Sequence, residues 1–243
     1  MNNLLLNVAN ISLVNRNQIL KSNQSFALKD ISFSLAENNS ISLIGDSASG
    51  KTSLIMALLK LKPISSGKIF YKGKDINLFS KTELVQYRRN IQPVFQNYEE
   101  SLNPLLTIQN NLYYGFSNRL TKKEKLLKLN NLVNLMGLNN NILSKLPFQL
   151  SGGEKQRITI IRALVTEPEM IILDEPFSSL DVINQEKLLA VFQQIKSEFK
   201  VSYIFITHKI PLIKYFSDSI FSINKGKMQK LENYRAYENL KND

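Results

Sequence analysis

The sequence predicts an α/β fold in which strands and helices alternate around a mainly parallel sheet. Short apolar runs bounded by turn residues recur along the chain, and segments with helical spacing stand between them. The chain has 243 residues, of which 43% are hydrophobic and 21% are charged, a composition typical of a globular protein. Alternating strands and helices favour parallel strands joined by helical crossovers. At about 150 residues per domain, the length allows one large domain or two small ones.

The first third of the chain, up to about Phe79, is dominated by predicted strands. The predicted strands are residues 1–15, Ala27–Leu35, Ser40–Ile44 and Lys68–Tyr71. A helix is predicted over Ser53–Lys60, directly after a glycine-containing turn, and Lys62-Pro63 ends it. A glycine-containing turn therefore lies between the predicted strand Ser40–Ile44 and the predicted helix Ser53–Lys60.

The middle of the chain predicts an all-helical insertion, and the strand and helix alternation resumes after it. Leucines recur at helical spacing between Thr121 and Leu146, and Gly137 with the following asparagines closes that helix. The later predicted elements are a helix over Ile158–Val165, a strand at Met170–Leu173, a helix over Gln185–Phe199 and a strand at Tyr203–Ile206. The basic and polar segment from Lys225 onward predicts a surface tail.

Composition excludes several classes of protein. The chain contains no Cys, which rules out disulfides, thiolate zinc sites and a cysteine nucleophile and fits a reducing compartment. No apolar run approaches the roughly 20 residues of a membrane-spanning helix, and the N-terminal segment lacks the basic region of a secretory signal. With 31 Lys or Arg against 20 Asp or Glu, the net charge is +11, which suits either anionic lipid or nucleic acid.

A phosphate-binding loop is predicted between the strand that ends at Ile44 and the helix that follows. The segment Gly45-Asp46-Ser47-Ala48-Ser49-Gly50-Lys51-Thr52 fits the pattern G-x-x-x-x-G-K-[ST]. In such a loop, backbone N–H groups converge on phosphate oxygens at a helix N-terminus. We expect Lys51 to reach the β and γ phosphates, Thr52 to bind Mg²⁺, and Ser53 to belong to the same nucleotide-binding segment. An ordinary Gly/Ser turn before a helix is the alternative interpretation.

A second acidic element follows the predicted strand Met170–Leu173. Asp174 lies where open α/β sheets bind ligands, and a nucleotide site of this kind needs a carboxylate there to hold Mg²⁺. Glu175 is the next residue and could accept a proton from an attacking water molecule. A polar exit from the strand would be the structural alternative. The combination of the acidic pair Asp174-Glu175 with a phosphate loop favours the catalytic interpretation.

A third segment makes the chain resemble the ATP-binding subunits of ABC transporters. Leu150-Ser151-Gly152-Gly153-Glu154-Lys155-Gln156-Arg157 matches that family's signature L-S-G-G-x-x-Q-R without a departure. The resemblance implies that this segment completes the nucleotide site of the opposite subunit. Ser151, Gly152, Gly153 and Glu154 are then expected to contact the partner's nucleotide.

The remaining landmarks of the family are present in order. Gln96 matches the Q-loop, which is expected to meet Mg²⁺ and the attacking water, and Ser178-Ser179-Leu180-Asp181 matches the D-loop, with Asp181 near the nucleotide. His208, the single His of the chain, matches the switch histidine expected to contact the γ-phosphate. The resemblance extends from about Leu4 to Gly226.

The resemblance implies a fold, cofactors and partners. The fold is a phosphate-loop NTPase (RecA-like) core with a mainly parallel sheet, an N-terminal antiparallel β subdomain and an inserted helical subdomain. The expected single domain has three parts. Residues 1–95 form the N-terminal β subdomain and the phosphate-loop part of the core, residues 96–157 form the helical insertion, and residues 158–243 form the rest of the core and the tail. ATP and Mg²⁺ are the expected cofactors. The expected partners are two transmembrane permease subunits, a second ATP-binding subunit that preferably differs from this one, and indirectly an external substrate-binding protein. Peripheral attachment to the cytoplasmic face of the membrane is implied.

Within the family, the segment from Gln96 to Pro104 resembles the Q-D-P-x-x-S-L-N-P stretch of subunits that power oligopeptide, dipeptide and nickel importers. That resemblance implies a peptide, nickel or metal-chelate importer, and Tyr98–Pro104 is the expected contact surface for the permease. The family's adenine-stacking aromatic residue is expected before the phosphate loop. Residues 14–25 contain no aromatic side chain, so Phe26 is the nearest candidate.

Two other functional classes are alternatives to the importer ATPase. A soluble ABC-type ATPase acting on nucleic acid or ribosomes could use the positive charge for phosphate contacts. That class would be expected to carry tandem cassettes or a long coiled-coil insertion, and this sequence has one cassette with a short helical insertion. A regulatory module that binds nucleotide without hydrolysis would be favoured by loss of Glu175 or His208, and both are present.

Overall fold

The computed structural model describes residues 3–14, 26–117, 119–178, 180–208 and 216–233, apart from the side chain of Glu99, and contains two β-sheets. The first sheet has four strands in the order β2-β1-β4-β5, and all three pairings are antiparallel. Its strands are β1 Leu4–Val14, β2 Phe26–Ala36, β4 Ser66–Tyr71 and β5 Lys74–Asp75. Buried and exposed residues alternate along much of β2, as expected for a strand with one face on the core.

The second sheet has six strands in the order β10-β9-β3-β8-β7-β6. Strands β9, β3, β8, β7 and β6 run parallel to one another, and β10 is antiparallel to β9. Its strands are β3 Ser40–Ile44, β6 Ile91–Val94, β7 Met170–Asp174, β8 Ser202–Ile206, β9 Ser219–Asn224 and β10 Lys227–Leu231. The predicted mainly parallel sheet and the separate antiparallel N-terminal sheet are both confirmed.

Six α-helices connect or cover these strands in the described part of the chain. They are α1 Lys51–Leu58, α2 Lys81–Asn90, α3 Ile108–Tyr113, α4 Lys122–Leu135, α5 Gly152–Leu164 and α6 Val182–Phe199. Capping boxes start α2, α4 and α5, each with a Ser or Thr side chain that accepts the N–H of a Glu three residues later. Within the described residues, no helix has both the length and the apolar character needed to cross a bilayer.

The parallel sheet separates two hydrophobic cores. In β7, Met170 and Ile172 belong to the core shared with the antiparallel sheet and α1, whereas Ile171 and Leu173 belong to the core under α3 to α6. Consecutive side chains of a strand point to opposite faces, so a strand covered on both faces is apolar throughout. This explains why the uninterrupted apolar runs of the sequence are the central strands.

The observed elements agree with the predicted ones wherever the apolar pattern is strong. The predicted helix over Ser53–Lys60 begins two residues earlier, at Lys51, and Gly137, with φ of 64°, ends α4 as the sequence predicts. The predicted helix over Ile158–Val165 is the second half of α5, which runs continuously across the expected boundary at residue 157.

Six of the described strands and helices were not predicted, namely α2, α3, β5, β6, β9 and β10. The segment Lys227–Leu231 is mostly exposed, as predicted, but it is not a tail, because it pairs with β9 as the edge strand of the second sheet. Residues 234–243 lie outside the described part.

Candidate active site

The carboxyl ends of four neighbouring parallel strands carry the predicted catalytic residues. Strand β3 leads into the phosphate loop, β7 ends at Asp174, and β8 and β6 are followed by His208 and Gln96. The register aligns these ends, because Ile206 pairs with both Leu43 and Asp174. Open α/β sheets bind ligands at this edge. The sheet therefore brings together residues that are far apart in sequence.

The phosphate loop depends on Gly50, which precedes α1 with φ of 115°. A Cβ at this position would lie 2.7 Å from the carbonyl oxygen of Ala27, and L side chains rarely adopt this backbone conformation. Glycine thus allows the loop to pass close to β2 and turn directly into α1. The first N–H groups of α1 point into the loop, where the helix dipole favours an anion.

Lys51 lies inside the curve of the loop. Its Nζ donates to the carbonyl oxygens of Gly45 and Asp46, each at 2.7 Å, and to Ser49 Oγ at 3.4 Å. Burial lowers the pKa of Lys51, and the carboxylates of Glu175 and Asp174 act in the opposite direction. The ammonium group is therefore held at the loop, and the two carboxylates at the end of β7 are close enough to affect its pKa.

Asp174 and Glu175 form a crowded acidic pair at the end of β7. Burial is the main cause of the raised pKa of Asp174, the neighbouring Glu175 adds to it, and Lys51 opposes it. Glu175 has φ of 52°, a strained conformation for a residue with a side chain. Its N–H donates to the carbonyl oxygen of Ile206 at 2.8 Å, and its own carbonyl accepts from Ser178 Oγ at 3.0 Å. Hydrogen bonds to its N–H and to its carbonyl oxygen hold Glu175 in this strained conformation.

His208 contacts the carboxylate of Glu175. His208 Nδ1 lies 2.9 Å from Glu175 Oε1, and the histidine is 57% exposed whereas the glutamate is 11% exposed. The other carboxylate oxygen of Glu175, Oε2, is buried and has no hydrogen-bond partner among the described residues. The His208 contact holds Glu175 through one of its two carboxylate oxygens.

The donor set fits Mg²⁺. Thr52, Gln96 and Asp174 supply hydroxyl, amide and carboxylate oxygens and line one pocket, and such oxygens are the ligands that Mg²⁺ prefers. The crowding of Asp174 and Glu175 would be relieved by a nearby cation. Among the described residues, no group of three or more His, Cys, Asp or Glu could hold a metal by itself.

A pocket of about 910 Å³ lies beside the phosphate loop. Among the predicted residues, it is lined by Ser47, Ala48, Gly50, Lys51, Thr52, Ser53, Gln96, Asp174 and Glu175. Gly45, Asp46 and Ser49 are not part of this lining, and each of them accepts a hydrogen bond from Lys51. The sequence prediction missed a second set of lining residues, namely Leu13, Val14, Ala27, Leu61, Lys62, Pro63, Lys225 and Gly226. Phe26 lines the same pocket and is 40% exposed.

The signature segment is not part of this pocket wall. Ser151 is exposed and caps α5, where its Oγ accepts the N–H of Glu154 at 3.3 Å. Because that bond uses Oγ as an acceptor, the hydroxyl hydrogen is available to donate to a phosphate. Asp181 caps α6 through the N–H of Asn184 at 2.9 Å and also lies outside the pocket lining. Ser179 of the D-loop is outside the described residues.

Comparisons with known proteins show which family and which relatives the chain is similar to. The profile of the family described as ABC transporter matches residues 28–178. The oligopeptide transport ATP-binding protein OppF of Streptococcus mutans is 36% identical over 230 residues, which cover 93% of this chain and 74% of that protein. The dipeptide transport ATP-binding protein DppF of Lactococcus lactis is 36% identical over 207 residues, covering 83% of this chain and 66% of that protein. The chain thus spans about two thirds to three quarters of these relatives' length.

Solved structures share the fold. A dimeric ATP-binding cassette in a post-hydrolysis state, bound to ADP and Pi, has a TM-score of 0.81 at 25% identity, covering 94% of this chain and 99% of that one. The protein cbiO1 from Clostridium perfringens, described as part of the ABC transporter complex cbiONQ, has a TM-score of 0.84 at 24% identity. That alignment covers 98% of this chain and 92% of the other, and at this identity it shows the fold alone.

Proposed function

Because this chain belongs to the ABC transporter family of ATP-binding proteins, we propose that it hydrolyses Mg-ATP to power a membrane importer of peptides, nickel or metal chelates. The relatives with peptide-transport names support the peptide class. The observation that carries the proposal is the convergence of Lys51, Asp174, Glu175 and Gln96 on one pocket at the carboxyl edge of the sheet.

The proposed mechanism divides the work among these side chains. Lys51 and the N–H groups at the start of α1 hold the β and γ phosphates. Thr52, Gln96 and Asp174 would hold Mg²⁺, and the ion would supply positive charge beside the phosphates. Glu175 takes the proton of the attacking water at its carboxylate, and His208 keeps that carboxylate oriented across a distance of 2.9 Å. His208 is exposed, and it would also contact the γ-phosphate.

Phe26 is the proposed stacking partner of the adenine ring. Its side chain lines the pocket together with the apolar residues Leu13, Val14 and Pro63. Aromatic rings stack on bases through their faces, and the exposed fraction of Phe26 leaves part of the ring accessible. The pocket then offers an apolar end to the base and a polar end to the phosphates.

A second cassette is the proposed partner that completes the site. Ser151 and Gly152 are exposed, and a Cβ on Gly153 would meet no atom within 4 Å, so the signature segment presents an open surface. Phe148 is 72% exposed and Ile183 is 66% exposed, which places apolar side chains beside the signature segment and the D-loop. Ser151 of one cassette would bind the nucleotide held by Lys51 of the other. We propose that the partner cassette differs in sequence from this chain.

We expect ATP to bring the two cassettes together. The chain and its partner cassette should be mostly monomeric without nucleotide and dimeric with Mg-ATP when hydrolysis is blocked, because the nucleotide supplies the charge that bridges the two surfaces. Size-exclusion chromatography with light scattering measures this shift. A mixture that stays monomeric at saturating Mg-ATP would contradict the composite site.

The proposed permease contact is the surface around Tyr98–Pro104. Ser101 Oγ donates to the carbonyl oxygen of Tyr98 at 2.6 Å, and Arg162 of α5 donates to the carbonyl oxygen of Ser101. Tyr98 also approaches the signature segment, since a Cβ on Gly152 would lie 3.2 Å from its hydroxyl oxygen. This segment therefore lies between Gln96 and the signature helix.

Replacing Tyr98 and Glu99 by Ala is expected to lower transport more than nucleotide binding, because the segment is the proposed permease contact and Tyr98 lies outside the pocket lining. Transport in vesicles and nucleotide affinity, measured on the same assembled complex, test this. An equal loss of both would instead place the segment in the nucleotide site.

Permease subunits, an external substrate-binding protein and peripheral attachment to the cytoplasmic face of the membrane complete the proposal. ATP-binding proteins with transport names support these partners. The alternative of a soluble ATPase acting on nucleic acid or ribosomes finds no support among these relatives.

A further inference from the structure

The turn between β9 and β10 lies against the phosphate loop. Lys225 and Gly226 form this turn with φ of 46° and 76°. The N–H of Gly226 donates to the carbonyl oxygen of Ser49 at 2.9 Å, and the carbonyl of Gly226 accepts from the N–H of Lys29 at 2.7 Å. The turn is therefore tied to both the phosphate loop and β2.

Glycine at position 226 permits this approach. A Cβ there would lie 2.8 Å from the carbonyl oxygen of Ala27, and a Cβ on Gly50 would lie 3.7 Å from the Cα of Gly226. The backbone of Lys225 is thus fixed one residue away from the point where the phosphate loop, β2 and the turn meet.

Lys225 lines the nucleotide pocket from this turn. Its side chain is exposed, and its ammonium group makes no hydrogen bond or ion pair with the residues that the structure describes. Lys62 also lines the pocket, but it lies past the C-terminal end of α1. A helix of eight residues is about 12 Å long. Lys225, on a turn bonded to Ser49, is the better placed of the two to meet phosphates.

We infer that Lys225 is a second cationic contact, after Lys51, for the phosphate chain of the bound nucleotide. The inference rests on the proposed function, since it assumes that the pocket holds ATP. A lysine binds phosphate as a flexible point charge, and its long side chain can reach the ligand from a fixed turn. Because Lys225 is exposed, water and salt screen its contribution, which is therefore smaller than that of Lys51.

The test compares Lys225→Met with Lys227→Met. Methionine keeps a side chain of similar length and removes the charge, and Lys227 is an exposed lysine of the same hairpin that does not line this pocket. Lys225→Met is expected to raise the Kd for ATP and for ADP by about three- to tenfold. Adenosine affinity, measured by competition, should stay unchanged. Lys225→Arg should retain most of the parent affinity, and the salt dependence of ATP binding should weaken in Lys225→Met alone.

An effect of Lys225→Met on ATP affinity no larger than that of Lys227→Met would overturn the inference. An equal effect on adenosine would also overturn it, because the contact would then be to the base or the ribose. Failure of the proposed function has a different signature. In that case the parent chain itself would not bind ATP, and Lys51→Ala would make no difference.

Discussion

Glu175→Gln should reduce ATP hydrolysis by about 10²–10⁴-fold while leaving ATP affinity close to that of the parent chain. The amide has the shape of the carboxylate but cannot take the proton of the attacking water. The phosphate loop, with Lys51 and Thr52, is untouched by the change. The backbone hydrogen bonds that hold residue 175 in its left-handed conformation also remain, since they involve only its N–H and C=O.

The measurement is steady-state phosphate release by the assembled complex, together with nucleotide affinity. Glu37→Gln provides a matched control, because Glu37 is exposed and follows β2, outside the pocket lining. If Glu175→Gln hydrolyses ATP within a few-fold of the parent, Glu175 is not the general base. His208 would then be the residue to examine.

Lys51→Ala should weaken ATP binding by at least about tenfold and slow hydrolysis by about 10²–10³-fold. The change deletes the cation expected at the β and γ phosphates. It also removes the hydrogen bonds from Nζ to the carbonyl oxygens of Gly45 and Asp46, which hold the curve of the loop. ATP affinity and the rate of ATP hydrolysis should therefore both fall.

Lys68→Ala is the control for loss of one positive charge, because Lys68 is an exposed residue of β4 that does not line the pocket. Isothermal titration with ATP and an assay of phosphate release give the two quantities. Unchanged ATP affinity in Lys51→Ala would show that the loop does not hold the phosphates.

The sequence predicts the central strands and the phosphate loop because their signals are local. Strands β7 and β8 are buried on both faces and each contain four consecutive apolar residues, whereas the buried Ser40 and Ser42 interrupt the apolar residues of β3. Strand β6 was missed because it has four residues and contains Pro93, which is tolerated on an edge strand such as this one. Strand β10 has exposed lysines and follows a turn, so its composition resembles that of a tail.

The composition of the pocket could be predicted only in part. Gly45–Thr52, Asp174 and Glu175 carry spacing patterns that the chemistry of phosphate binding explains. The position of Lys225 depends on β9 lying next to β3 in the sheet, and strand order is not encoded in a local pattern. The dipeptide Lys225-Gly226 between two strands indicates a turn, but not the loop against which that turn packs.

The claim that one pocket binds ATP through the loop and hydrolyses it through the end of β7 is tested most directly by one comparison. Nucleotide affinity and phosphate release are measured side by side for Glu175→Gln and Lys51→Ala in the assembled complex. We predict that Glu175→Gln loses hydrolysis and keeps affinity, whereas Lys51→Ala loses both. If the two variants lose affinity and hydrolysis in the same proportion, binding and proton transfer are not divided between these residues and the account is wrong.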